Sequence, residues 1–170
     1  MPAPGANRAC GDCTLCCKVM TIDELAKPAG SWCKNCDARS GCKIYSERPT
    51  ECRTFSCLWL IDERLGPPWK PNKSKIVITT SEDGLEIRCD PGFSDAWRKE
   101  PFKSQIHKWA EAGELSDVTV LVIIGEKMTL VTHGREFDLG VVRSDERIVR
   151  EVDGTRVVNV KVMKASDLQP

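Results

Sequence analysis

The spacing of hydrophobic positions divides the chain into two stretches. From about residue 74 onward, apolar residues follow regular periods. Residues 75–80 and 85–89 are β-prone runs joined through Ser81-Glu82-Asp83-Gly84, which predicts a hairpin. Phe102, Ile106, Trp109 and Ala110 fall at i, i+4, i+7 and i+8. With Pro101 at the start and Gly113 after the end, that stripe predicts an amphipathic helix of about three turns. Residues 118–124 form a strongly β-prone run, and Gly125-Glu126-Lys127 turns it into a second run over 128–132. Phe137, Leu139 and Val141 alternate, as do Val158, Val160 and Val162. Asp153-Gly154 between 148–152 and 156–163 is a hairpin signal. This part reads as mostly antiparallel sheet carrying one clear helix.

Before residue 74 no such rhythm holds. Residues 1–9 are a loose arm of Pro, Gly and Ala. Residues 10–65 form a cysteine-rich module with short apolar runs. Thr21-Ile22-Asp23-Glu24 has the pattern of a capping box, and Pro28 stops the helix it would open. Leu58-Trp59-Leu60-Ile61 predicts a short helix ending near Gly66. Residues 66–73, rich in proline, connect the module to the regular part, 74–170. The fold class expected is α+β: an irregular Cys-rich metal-binding module packed with the sheet and its helix as one unit.

A length of 170 residues suits one domain, or one domain with a small module attached. Lys and Arg number 25, as do Asp and Glu, so the formal net charge is zero. Zero charge removes the electrostatic argument for nucleic acid or an anionic membrane as partner. No apolar run approaches the ~20 residues of a membrane span. The opening Met1-Pro2-Ala3-Pro4-Gly5-Ala6-Asn7-Arg8 has no apolar core of a secretory signal, so a reducing, cytoplasmic setting is expected.

Against this ordinary background the cysteines stand out. Nine of the ten lie between positions 10 and 57: Cys10, Cys13, Cys16, Cys17, Cys33, Cys36, Cys42, Cys52 and Cys57. Disulfides would need an oxidising compartment and an even number, so metal is the chemistry favoured. A Cys-x2-Cys turn brings two sulfurs to one ion, and soft thiolates select zinc, Cu(I) or iron–sulfur clusters. One four-cysteine zinc site would leave five cysteines over, whereas two would use eight of the nine. Three metals would need bridging sulfurs, a role that adjacent Cys16 and Cys17 suit. Cys10, Cys13 and Cys16 also have the spacing of a [4Fe–4S] run, without the x3-Cys-Pro ending of bacterial ferredoxins. Two zinc ions on eight thiolates would leave the site roughly four charges negative. Arg8, Lys18, Lys34, Arg39, Lys43, Arg48 and Arg53 are the cations available to offset that charge, or are simply solvated surface.

Two motifs carry a family resemblance. Cys10-Gly-Asp-Cys-Thr-Leu-Cys-Cys17 and Gly41-Cys-Lys-Ile-Tyr-Ser-Glu-Arg-Pro-Thr-Glu-Cys-Arg-Thr-Phe-Ser-Cys57 resemble the YkgJ-type cysteine-cluster family. Its signature is CxxCxxCC followed by C-x-I-Y-x-x-R-P-x-x-C-R-x-F-x-C. The resemblance spans about residues 10–59 and implies a zinc- or iron-chelating domain. A related cysteine segment occurs in flagellin lysine N-methylase. It implies ligand positions at Cys10, Cys13, Cys16, Cys17, Cys33, Cys42, Cys52 and Cys57; Cys36 is an addition to the pattern. Tyr45, Arg48 and Arg53 belong to the second motif. The two arginines either bind an anion or hold the cluster, and the favoured reading is a supporting layer: Arg48 on backbone carbonyls and Tyr45 in a small core.

Other conspicuous residues read as structural. Cys89 shares a strand face with Leu85 and Ile87, so a buried thiol is expected. His107 lies off the helix stripe and is expected in solvent; His133, before Gly134, is expected in a turn. Trp32, Trp59 and Trp69 flank the cysteines and would shield metal or build core. No phosphate loop, nucleophile elbow or dinucleotide fingerprint is present. The reading is a zinc-holding protein whose metal is structural or chelated. The alternatives are an iron–sulfur protein with redox or cluster-dependent protein-modifying activity, a metal-handling protein, and an enzyme acting on protein lysines.

Overall fold

The computed structural model describes residues 8–81, 83–116 and 118–168. The expected arm over 1–9 therefore lies outside the described residues except for Arg8 and Ala9, as does Glu82 of the expected 81–84 turn. The architecture is α+β. Short helices α1 (Cys16–Val19), α2 (Thr50–Thr54), α3 (Leu58–Ile61) and α4 (Pro71–Ser74) precede one long helix, α5 (Phe102–Ser116). A two-residue ladder joins β1 (Cys36–Asp37) to β2 (Gly41–Cys42) inside the cysteine region.

The main sheet has five strands in sequence order: β3 (Ile76–Thr80), β4 (Gly84–Cys89), β5 (Thr119–Ile124), β6 (Lys127–Thr132) and β7 (Arg135–Val141). All neighbours are antiparallel except β4 and β5, which run parallel. A parallel pair needs a crossover, and α5 lies within that connection. A separate antiparallel ribbon is formed by β8 (Glu146–Asp153) and β9 (Arg156–Lys164). It is tied to the sheet where Arg135 donates to the Val158 carbonyl at 3.0 Å.

The stripe expected on α5 faces the sheet: Ile106 is fully buried and Ala110 nearly so, while Phe102 and Trp109 pack against the same core. Trp69 fills the end of that core, its ring 4.7 Å from Phe102 and 5.2 Å from Trp109. Cys89 is 1% exposed within it, as a small hydrophobe would be.

Four local expectations are corrected. The helix passes Gly113 and ends at Ser116. Gly113 is needed for close approach, since a Cβ there would stand 2.4 Å from the Val118 carbonyl oxygen. Thr21 caps nothing: one 3₁₀ turn spans Asp23–Leu25, and Ala26 ends it in the left-handed conformation. The Leu58 helix stops at Ile61, well before Gly66, because Arg8 takes its end: the guanidinium donates to the carbonyls of Trp59, Asp62 and Glu63. His107 is half-buried, with Nε2 3.5 Å from Glu136, instead of standing in solvent. His133 does lie exposed in the turn before β7.

Candidate metal centre

The first cysteines sit on a tight turn. The Cys13 amide donates to the Cys10 carbonyl at 2.9 Å, with Gly11 at φ +56°, a left-handed value natural to glycine. The chain then enters α1, whose first two residues are Cys16 and Cys17. The same bond recurs, without a left-handed residue, where the Cys36 amide donates to the Cys33 carbonyl at 3.0 Å. The two turns are joined directly, because the Cys33 amide donates to the Cys17 carbonyl at 3.0 Å. Cys42 is brought in by the β1–β2 ladder, which sets it opposite Cys36. Cys52 rides on α2, and Cys57 precedes α3. Glu51 fixes α2 against the neighbouring turn: its carboxylate accepts the Asp23 amide at 2.9 Å, and its own amide donates to Glu24 at 3.3 Å.

The result is one cavity of about 730 Å³ walled by Cys10, Cys13, Cys16, Cys17, Cys33, Cys36, Cys42 and Cys52. Met20, Ile22, Leu25, Phe55 and Ile61 supply apolar wall. Cys57 is not on this wall. It is buried behind it with Leu15, Val19, Leu60 and Val77, the cluster that seals the cysteine region onto β3. All ten cysteines are free thiols.

Within the cavity the thiols contact one another. Cys17 interacts with Cys16 and Cys36, and Cys36 with Thr14, strongly enough to move the thiol pKa values. Among the described residues, no group of three or more His, Cys, Asp or Glu side chains stands in a metal-holding arrangement. The electrostatics are those of thiols crowded together. The hydrogen bond that the Cys17 thiol donates to Cys16, then burial, raises the Cys17 thiol far above its usual range. Burial and the neighbouring Cys17 push Cys36 up to about 12. Burial and then Cys13 raise Cys10, whereas Arg48 and Lys70 oppose the shift. Burial raises Cys52, helped by Cys17, Cys33 and Cys42. Each thiolate formed here disfavours the next, so only a cation could hold several ionised at once. The donor set fits a soft or borderline metal in type and number.

The residues of the second motif divide. Arg48 donates from Nε to the Tyr45 carbonyl at 2.9 Å, and its guanidinium lies 3.7 Å from the Tyr45 ring centre. Tyr45 is 62% exposed, so it builds a rim and not the small core expected of it. Arg53 is exposed and donates to the Thr50 hydroxyl at 3.3 Å. Of the three tryptophans, Trp69 builds core, Trp59 lies beside Arg8 and Lys70, and Trp32 is largely exposed under Lys18.

One charged residue near the thiols escaped the sequence reading. Lys27 is 7% exposed, and its ammonium is coupled to Cys33, Cys17, Cys16 and Cys52. Burial lowers its pKa and those four sulfurs raise it, with burial the larger effect. A lysine between alanine and proline carries no pattern; its burial follows from the left-handed turn at Ala26.

No protein-family model, no curated protein and no solved structure matches the chain. Among the described residues, no helix is long and apolar enough to cross a membrane.

Proposed function

We propose that this chain is a metal-binding protein that holds zinc through its clustered cysteine thiolates. The observation that supports this most is the gathering of eight thiols, from two Cys-x2-Cys turns, a two-strand ladder and a helix, around one cavity. The small apolar cluster behind the cavity joins residues 15–19 to 57–60, but includes none of Cys33, Cys36, Cys42 and Cys52. The residues that would hold metal are Cys10, Cys13, Cys16, Cys17, Cys33, Cys36, Cys42 and Cys52, with Cys57 behind them in reserve. Bound zinc would tie residues 10–60 together, so binding energy would be folding energy for the module. The role is structural or chelating, in a reducing cytoplasmic compartment where thiols stay free. The likeness to the YkgJ-type cysteine cluster rests on the two quoted motifs and points the same way.

A second reading is an iron–sulfur cluster with redox or cluster-dependent protein-modifying activity. It is favoured by Cys10, Cys13 and Cys16 lining the cavity together and by room beyond what two ions need. Titration with Zn²⁺ under reducing conditions, with a count of alkylatable thiols, tests the first reading. Uptake of about two ions with protection of about eight thiols is expected. No uptake, with every thiol outside the sheet core still reactive, would remove it.

A further inference from the structure

Lys27 is held by its backbone in an unusual place. Ala26 adopts φ +48°, and Ile22 and Lys27 form a closed bridge in which each amide donates to the other's carbonyl at 3.0 Å. The turn sends the side chain back over the end of α1. There Nζ donates to the carbonyl of Lys18 at 2.7 Å and to that of Met20. Two of the three ammonium hydrogens are thereby engaged. Among the described residues, no acceptor is recorded for the third and no carboxylate pairs with Nζ. A buried ammonium without a counter-charge is costly, so such groups are ordinarily paired.

The other cations around the cysteines are paired, exposed or at the rim, where Arg48 and Lys70 still act on Cys10. Arg8 holds the carbonyls after α3. Lys18 pairs with Asp90 at 2.5 Å, Lys70 with Asp12 at 2.7 Å, and Arg48 lies on Tyr45. Lys34, Arg39 and Lys43 are exposed, where solvent screens them. Lys27 alone among these is buried and faces no acid; it stands just behind the cavity wall, on the carbonyl of Lys18, the residue after Cys17, and that of Met20, which lines the cavity.

We propose that Lys27 is a positioning residue of the metal site: the fixed, buried counter-charge to the thiolates of Cys16, Cys17, Cys33 and Cys52. This inference rests on the metal reading above. Four thiolates on one divalent ion keep surplus negative charge, and in a low-dielectric setting a built-in cation offsets it more strongly than surface lysines can. The bonds to the Lys18 and Met20 carbonyls fix the ammonium there and link the charge of the site to the end of α1.

The test compares zinc-loaded wild type with Lys27→Met and Lys27→Arg. The readout is the EDTA concentration that removes half the zinc. Lys27→Met keeps the length and apolar stem but removes the charge; Lys27→Arg keeps the charge. The expected result is a loss of zinc affinity of about 10- to 100-fold in Lys27→Met, the scale seen for supporting groups of metal sites, with Lys27→Arg within about threefold of wild type. Equal losses in both variants would mean that the ammonium serves only to fix the turn, and would overturn the proposal. So would zinc retention in Lys27→Met within about twofold of wild type. A wild-type chain that takes up no zinc would instead fail the metal reading, and this inference with it.

Discussion

Replacing Cys13 or Cys16 with serine removes one of the eight soft donors on the cavity wall. Each variant is expected to lose bound metal and to loosen residues 10–60, read as metal per folded chain and as amide exchange. Cys89→Ser is the contrast. That thiol lies in the sheet core, so metal content should stay unchanged while stability falls by roughly 1–3 kcal/mol for a poorly partnered buried hydroxyl. Burial also pushes the Cys89 thiol up to about 12, so at pH 8 it is neutral and inaccessible. Iodoacetamide should leave it unlabelled in the native protein and label it in denaturant, by mass spectrometry of its peptide; native labelling would show that the core opens. At this scale the cysteines were legible because their type is rare and their spacing is chemical. Lys27 was not, because nothing in its sequence neighbours announces burial. Tyr45 was misjudged for the same reason: an aromatic ring beside a motif reads as core, yet here it covers an arginine at the rim.

Among the elements, α5 shows how packing overrides propensity. Alanine is a better helix former than glycine by about 1 kcal/mol, so Gly113→Ala would stabilise an isolated helix. Here the added Cβ would meet the Val118 carbonyl oxygen at 2.4 Å, against backbone that cannot swing aside. Gly113→Ala is therefore expected to destabilise the fold by roughly 1–3 kcal/mol, measured by urea unfolding. An increase in stability would mean that the turn after α5 is slack. The apolar stripe of α5 and the runs of β3 to β9 were visible from periodicity, since a half-buried strand or helix must repeat its apolar positions. The parallel pairing of β4 with β5 was not, because alternation marks a strand and says nothing of its direction. The β1–β2 ladder was invisible as well: two residues are too few to show a period, and it is the chain's return to Cys36 that forms it.

The molecule as a whole joins a regular part with its own core to a region with little core of its own. Residues 76–132 bury Ile76, Ile87, Ile106, Val120, Val122 and Val131 around Trp97. The cysteine region leans on that body through Leu15, Val19, Cys57 and Leu60 against Val77 and through the Lys18–Asp90 pair, and on the connection through Lys70–Asp12. If metal supplies the remaining cohesion, chelation should strip amide protection from residues 10–60 and leave β3 to β7 protected. Loss of protection across both parts together would mean that they unfold as one and that metal is not the local staple. The measurement that bears most directly on the central claim is the content of metal and acid-labile sulfide per chain, with a visible spectrum, on anaerobically purified protein. The account predicts about two zinc per chain, no sulfide and no colour. Iron with matching sulfide and a broad band near ~400 nm would replace zinc with a cluster on the same thiolates. A chain with neither metal nor sulfide, and with its cavity thiols freely reactive, would contradict it.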